Sequence, residues 1–214
     1  MLTDLVQIAR IGRQKRDENF RFRAYLKNHR HSDRRLRRFG EEIQAQIDCT
    51  KCANCCRVTE TEITERDIEK LSKFLGVTRE EFLRDYSMPA PEDNELILKR
   101  DESGCVFLKD NLCSVYEARP HNCANFPHLV RGDGSIASRM WQFVDRTNYC
   151  PIVYNWMEKV KDDIGFRGLI CWAGSRGADP QARAGPPGPA LRSAAIPEAG
   201  RRGRRLRTRG SAPH

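Results

Sequence analysis

The sequence predicts an α+β fold: arginine-rich helices ahead of a small cysteine-rich domain of short helices and a β-hairpin. Three observations lead there. Apolar residues recur at helical spacing before position 48 and again after position 150. Short apolar runs separated by a turn signal lie between positions 96 and 116. Eight of the nine cysteines fall between positions 49 and 150, four of them in the run C-T-K-C-A-N-C-C.

Residues 1–48 form the helical segment. Leu36, Phe39, Ile43 and Ile47 make an apolar stripe at helical period, with Ser32 or Asp33 as its cap. Phe20, Phe22, Tyr25 and Leu26 predict a further helix before it. Past the cysteine run, Thr64 and Asp67 read as a capping box, Ile68, Leu71 and Leu75 as a helix face, and Gly76 as its stop. Thr78 and Glu81 repeat the capping pattern ahead of Phe82, Leu83 and Tyr86. Leu96-Ile97-Leu98 is a short strand. Cys105-Val106-Phe107-Leu108 and Leu112-Cys113-Ser114-Val115-Tyr116 flank Lys109-Asp110-Asn111, which predicts a hairpin holding Cys105 near Cys113. Met140-Trp141-Gln142-Phe143-Val144, after the Gly132-Asp133-Gly134 turn, is expected as one more strand. Pro151 opens a helix whose face is Val153, Trp156 or Met157, Val160 and Ile164.

The cysteines carry the chemistry. The N-terminus lacks the basic start and apolar run of a signal peptide. No stretch reaches the ~18 apolar residues of a membrane helix. The expected compartment is therefore the cytoplasm, where thiols stay reduced and clustered cysteines serve metal or catalysis. Nine thiols also cannot all pair within one chain. Thiolates are ligands for zinc and for iron–sulfur clusters, so Cys49, Cys52, Cys55, Cys56, Cys105, Cys113, Cys123 and Cys150 are the candidate metal ligands. Four thiolates complete one tetrahedral site, and eight could fill two. Cys55 and Cys56 are awkward partners on one metal because neighbouring side chains diverge; one of them is expected to serve a second site or another role. Cys105, Cys113 and Cys123 lack a matching C-x2-C, which disfavours zinc. The C-x2-C-x2-C run and the remote Cys150-Pro151 echo ferredoxin ligation and lean towards an iron–sulfur cluster.

Arg119 could bind at the cofactor by donating hydrogen bonds to thiolate sulfur, or simply pack on Tyr116. His121 and His128 are more simply structural than ligating, and Trp141, Tyr149 and Trp156 are expected in the core around the site.

These residues resemble a known family. Cys49-x2-Cys52-x2-Cys55-Cys56, Cys105-Val-Phe-Leu, Cys113-Ser-Val-Tyr-x2-Arg119-Pro120-x2-Cys123-x2-Phe126-Pro127 and the final Cys150 look like the YkgJ-type cysteine-cluster family over about residues 45–151. The resemblance implies a zinc- or iron-chelating CxxCxxCC domain of bacterial type. Ala53 and Asn54 stand where the family often has glycine; Asn tolerates the left-handed turn required. Bacterial flagellin lysine methylases are similar in their cysteine cluster, which implies the alternative of a cluster-dependent redox or protein-modifying enzyme. This chain is shorter than those enzymes and has no glycine-rich cofactor loop.

Charge excludes a simple reading as a nucleic-acid binder. The net charge of +9 divides into +5 for residues 1–48, −3 for 49–172 and +7 for 173–214. The cysteine domain, residues 49–172, is thus slightly acidic and the basicity belongs to its flanks, so nucleic acid is disfavoured as a partner. Residues 173–214 contain 31 Ala, Arg, Gly or Pro among 42 and no lysine or aromatic. That composition is expected of a disordered basic tail, or of out-of-frame translation of a GC-rich gene. Cys171 borders this shift and is left out of the ligand set.

Overall fold

The computed structural model describes residues 1–91 and 95–167. The tail at 173–214 and Cys171 lie outside the described residues. Three helices come first: α1 (Leu5–Gln14), α2 (Arg16–Asn28) and α3 (Asp33–Gln44). Asp4 and Ser32 cap α1 and α3, accepting from the backbone N–H of Gln7 and Arg35. Leu36, Phe39 and Ile43 are buried, and Ile47 packs beside them as the stripe predicts.

Two short helices carry the cysteine run, α4 (Cys49–Cys52) and α5 (Asn54–Val58). α6 (Glu65–Leu75) and α7 (Arg79–Tyr86) follow, each opened by its capping box, and Gly76 ends α6 in the left-handed region at φ 69°. Six short strands make three separate antiparallel pairs. β1 (Ser87–Pro89) pairs with β2 (Leu96–Leu98), β3 (Arg100–Asp101) with β4 (Gly104–Cys105), and β5 (Leu108–Lys109) with β6 (Leu112–Cys113). Then come α8 (His121–Asn125), α9 (Ile136–Arg146) and α10 (Pro151–Asp163). The fold is mostly helical with small antiparallel hairpins.

Three expectations are corrected. Met140–Val144 lies in α9, not in a strand. Ser135 caps that helix, and Ile136, Met140, Phe143 and Val144 are buried at helical spacing. Trp141 is not in the core: it points away from that face and is 52 % exposed. The hairpin turns as expected at Asp110 and Asn111, whose φ values of 48° and 67° suit a two-residue turn. Its pairing, however, covers only Leu108 with Cys113 and Lys109 with Leu112. Cys105 pairs with Arg100 in the preceding hairpin.

Two apolar cores result. In the first, Phe22, Leu26, Leu36 and Phe39 from the N-terminal helices meet Phe143, Trp156 and the rest of α9 and α10. The indole N–H of Trp156 donates to the Leu36 carbonyl at 2.9 Å, satisfying a polar atom that full burial would orphan. The second core joins Ile68, Leu71, Phe82, Leu98, Phe107 and Val115. Cys150 belongs to the first core, whereas Cys105 and Cys113 pack against the second. The cysteine run therefore lies where the two cores meet. Among the described residues no helix is long and apolar enough to cross a membrane.

Candidate metal centre

Local backbone chemistry sets out the first four thiols. Asp48 caps α4 by accepting from the Thr50 N–H at 2.9 Å. Cys49 and Cys52, three apart, then lie on one side of a single helical turn. Ala53 ends that turn at φ 46° in the left-handed region, a conformation strained for any residue with a Cβ. It is Ala53 rather than Asn54 that takes the left-handed place. Asn54 begins α5, and its side-chain N–H donates to the Tyr149 carbonyl at 2.8 Å. This bond ties the cysteine run to the residue before Cys150.

Other segments bring up the remaining thiols. Gly104, at φ +124°, lets β4 run against α5: a Cβ there would meet the Cys56 carbonyl oxygen at 2.7 Å and the Arg57 Cα at 2.9 Å. Arg100 on β3 fastens the same contact, donating to the Arg57 carbonyl at 2.7 Å. Cys105 is thereby set near Cys56. Asp67 completes the capping box of α6 and also accepts from the His121 N–H at 2.9 Å, anchoring the short helix that carries Cys123. The Cys123 sulfur lies 3.7 Å from the Thr61 hydroxyl. The Cys55 and Cys56 sulfurs are 4.0 Å apart.

The electrostatics explain what these thiols lack. Burial pushes Cys105 up to about 11, and Cys123 and Cys150 up to about 12. Backbone N–H groups work against burial: Phe107 at Cys105, Val115 at Cys113, and Val153 and Ile152 at Cys150, on the head of α10. Such donors favour the ionised sulfur. Cys55 is pushed up, first by its hydrogen bond to Cys56 and then by burial; Cys56 is drawn down by that bond, with Arg57 and Arg119 helping against burial. The Arg119 guanidinium stacks on the Tyr116 ring, 4.1 Å from its centroid. Its charge also favours the thiolates of Cys49, Cys56 and Cys113. Of the two roles expected for Arg119, the packing on Tyr116 is the one seen, with its charge near the thiols. His128 is driven down to about 4, first by burial and then by Arg146 and Arg139, so it is neutral near pH 7.

All eight thiols among the described residues are free of disulfides. Donor chemistry and the aimed N–H groups fit a thiophilic metal, whose charge would offset the burial that raises Cys49, Cys105, Cys113, Cys123 and Cys150. As the side chains stand, no three His, Cys, Asp or Glu among the described residues are gathered tightly enough to hold an ion. A change of χ1 well carries a cysteine sulfur about 3 Å.

The thiols line two cavities. A large one of about 1490 Å³ is lined by Cys49, Cys55, Cys56, Cys105, Cys113 and Cys123. Arg119, Tyr116 and the exposed Trp141 also line it. A small one of about 20 Å³ is walled by Cys49, Cys52, Cys55 and Cys150 with Ile47, Phe126 and Tyr149. Gly104, Asn54 and the second bond of Asp67 are positioning features that sequence reasoning missed. Only Gly104, directly before Cys105, leaves a local signal.

The chain is 30 % identical over 98 residues to the uncharacterized protein MJ0939 of Methanocaldococcus jannaschii, an alignment covering 41 % of this chain and 32 % of that protein. The chain thus spans about a third of the length of that relative. No solved structure matches it. Residues 48–151, which contain all eight candidate ligands, match the family model described as "CxxCxxCC: Putative zinc- or iron-chelating domain", and this segment of the chain is similar to that family.

Proposed function

We propose that this domain holds zinc or iron on cysteine thiolates, drawing its ligands from Cys49, Cys52, Cys55, Cys56, Cys105, Cys113, Cys123 and Cys150. The observation that carries the reading is that eight unpaired thiols, from segments as far apart as α4 and the cap of α10, line two adjoining cavities. Disulfides are a poor alternative for the adjacent pair. Consecutive Cα atoms lie about 3.8 Å apart, below the ~4.4 Å lower limit of ordinary disulfides. Of the two metals, the C-x2-C-x2-C run and Cys150-Pro151 favour iron as an iron–sulfur cluster. A bound metal would supply positive charge to the buried sulfurs and a link between the cores. Arg119 acts on the thiolates from outside by charge.

The test is Cys52→Ser in the full chain, purified without oxygen. Metal content and unfolding temperature should fall together, because structural metal binding is folding free energy. Unchanged metal stoichiometry would remove the site. A second reading, a redox or protein-modifying enzyme, is favoured by the large cavity against the thiols, which has room for a substrate.

A further inference from the structure

We propose that the eight thiols form two distinct metal sites, one on the small cavity and one on the large. The small-cavity site takes Cys49, Cys52, Cys55 and Cys150. The large-cavity site takes Cys56, Cys105, Cys113 and Cys123. This rests on the metal-binding reading above and adds to it the number of sites and their ligands.

The division follows from where each sulfur lies. Cys52 and Cys150 line only the small cavity, whereas Cys56, Cys105, Cys113 and Cys123 line only the large one. Cys49 and Cys55 line both, and a four-thiolate site needs them on the side that otherwise has two. Electrostatic neighbours divide in the same way. Cys150 feels the charges of Cys49 and Cys52, while Cys123 feels Cys105, Cys56 and Cys113. The sets touch at Cys55 and Cys56, where consecutive α5 side chains, turned ~100° from each other, deliver one thiol to each. Cys49 with Cys56, and Cys55 with Cys123, are the other neighbours across the boundary.

Their surroundings differ. The small cavity, about 20 Å³, is near the size of one water and is walled by Ile47, Phe126, Tyr149 and Ile152. Cys150 is 5 % exposed and sits in the helical core. Cys49 in the wall of this cavity is nevertheless exposed. The other four thiols line about 1490 Å³, where an ion or a cluster fits.

The probe is zinc alone. The full chain, stripped and reloaded with zinc under reducing conditions, is denatured with excess coloured chelator, and the zinc released is counted. Two zinc ions per chain are expected. Cys113→Ser and Cys52→Ser should each retain one. Cys52 is used because truncating buried Cys150 risks the fold, and the wild-type stoichiometry stands without any variant. One zinc per chain in the wild type, or loss of all zinc in both variants, would overturn the two-site proposal while leaving metal binding intact. No zinc in the wild type would overturn the metal reading itself, and this proposal with it.

Discussion

Asp67 offers a quantitative test of how the hairpin side of the domain is tied together. Its carboxylate is 5 % exposed and accepts three hydrogen bonds: from the Thr64 N–H at 3.0 Å, the Thr64 hydroxyl at 2.7 Å and the His121 N–H at 2.9 Å. Asp67→Ala removes the return half of the capping box, worth about 1 kcal/mol. It also leaves the His121 N–H without its partner, an additional ~1–3 kcal/mol. The expected loss is about 2–4 kcal/mol. Thr64→Ala breaks only the cap and should cost about 1 kcal/mol. Urea unfolding at pH 7 and fixed metal concentration measures both. Equal losses in the two variants would refute the claim that Asp67 holds α8, and with it Cys123, in place. The pH dependence supplies a second check. Burial would raise the Asp67 carboxyl, but its bonds from Thr64 and His121 outweigh this and hold it below its ordinary value of 3.8. Its ionised form therefore stabilises the fold fully above that value, and this is lost as pH falls through the lower folded-state value. The stability gap between wild type and Asp67→Asn should be flat from pH 7 to about pH 5 and narrow below about pH 4.

Three further outcomes are expected. Gly104→Ala forces a Cβ into the Cys56 carbonyl and the Arg57 Cα at φ +124°. It should destabilise by at least ~2 kcal/mol in urea unfolding, through strain and backbone displacement together. Asn54→Ala removes the 2.8 Å bond to the Tyr149 carbonyl, and a cost of about 1 kcal/mol is expected in the same assay. Arg119→Ala takes away the charge that favours the Cys49, Cys56 and Cys113 thiolates. Zinc affinity in chelator competition should fall about tenfold, with Arg119→Lys retaining most of it.

What the sequence made legible was local. Both capping boxes, the Gly76 stop, the stripe from Leu36 to Ile43 and the Pro151 helix each declare themselves within a dozen residues and stand in the structure, while Ile47 falls past the end of α3. Met140–Val144 was misread because five residues hold too few turns to separate a period of 2 from 3.6. The burial of Ile136 and Met140 together, one helical turn apart, reveals the helix. Cys105 was assigned across from Cys113 because the turn signal at Asp110-Asn111 is real, but β3 takes Cys105 first. The arrangement of the thiols around two cavities is non-local. It depends on Gly104 admitting β4 to Cys56, and on Asn54 reaching Tyr149, contacts between residues 48 and 95 positions apart.

The most direct test is the metal content and absorption spectrum of the full chain purified without oxygen, together with its free-thiol count. Zinc or iron in stoichiometric amount, with the cysteines of α4, α5 and the hairpins protected from alkylation until a chelator is added, is the expected result. Iron with acid-labile sulfide and a broad band near ~400 nm would identify the cluster form. Protein free of both metals, with its cysteines freely alkylated or joined in pairs, would contradict metal binding by this domain.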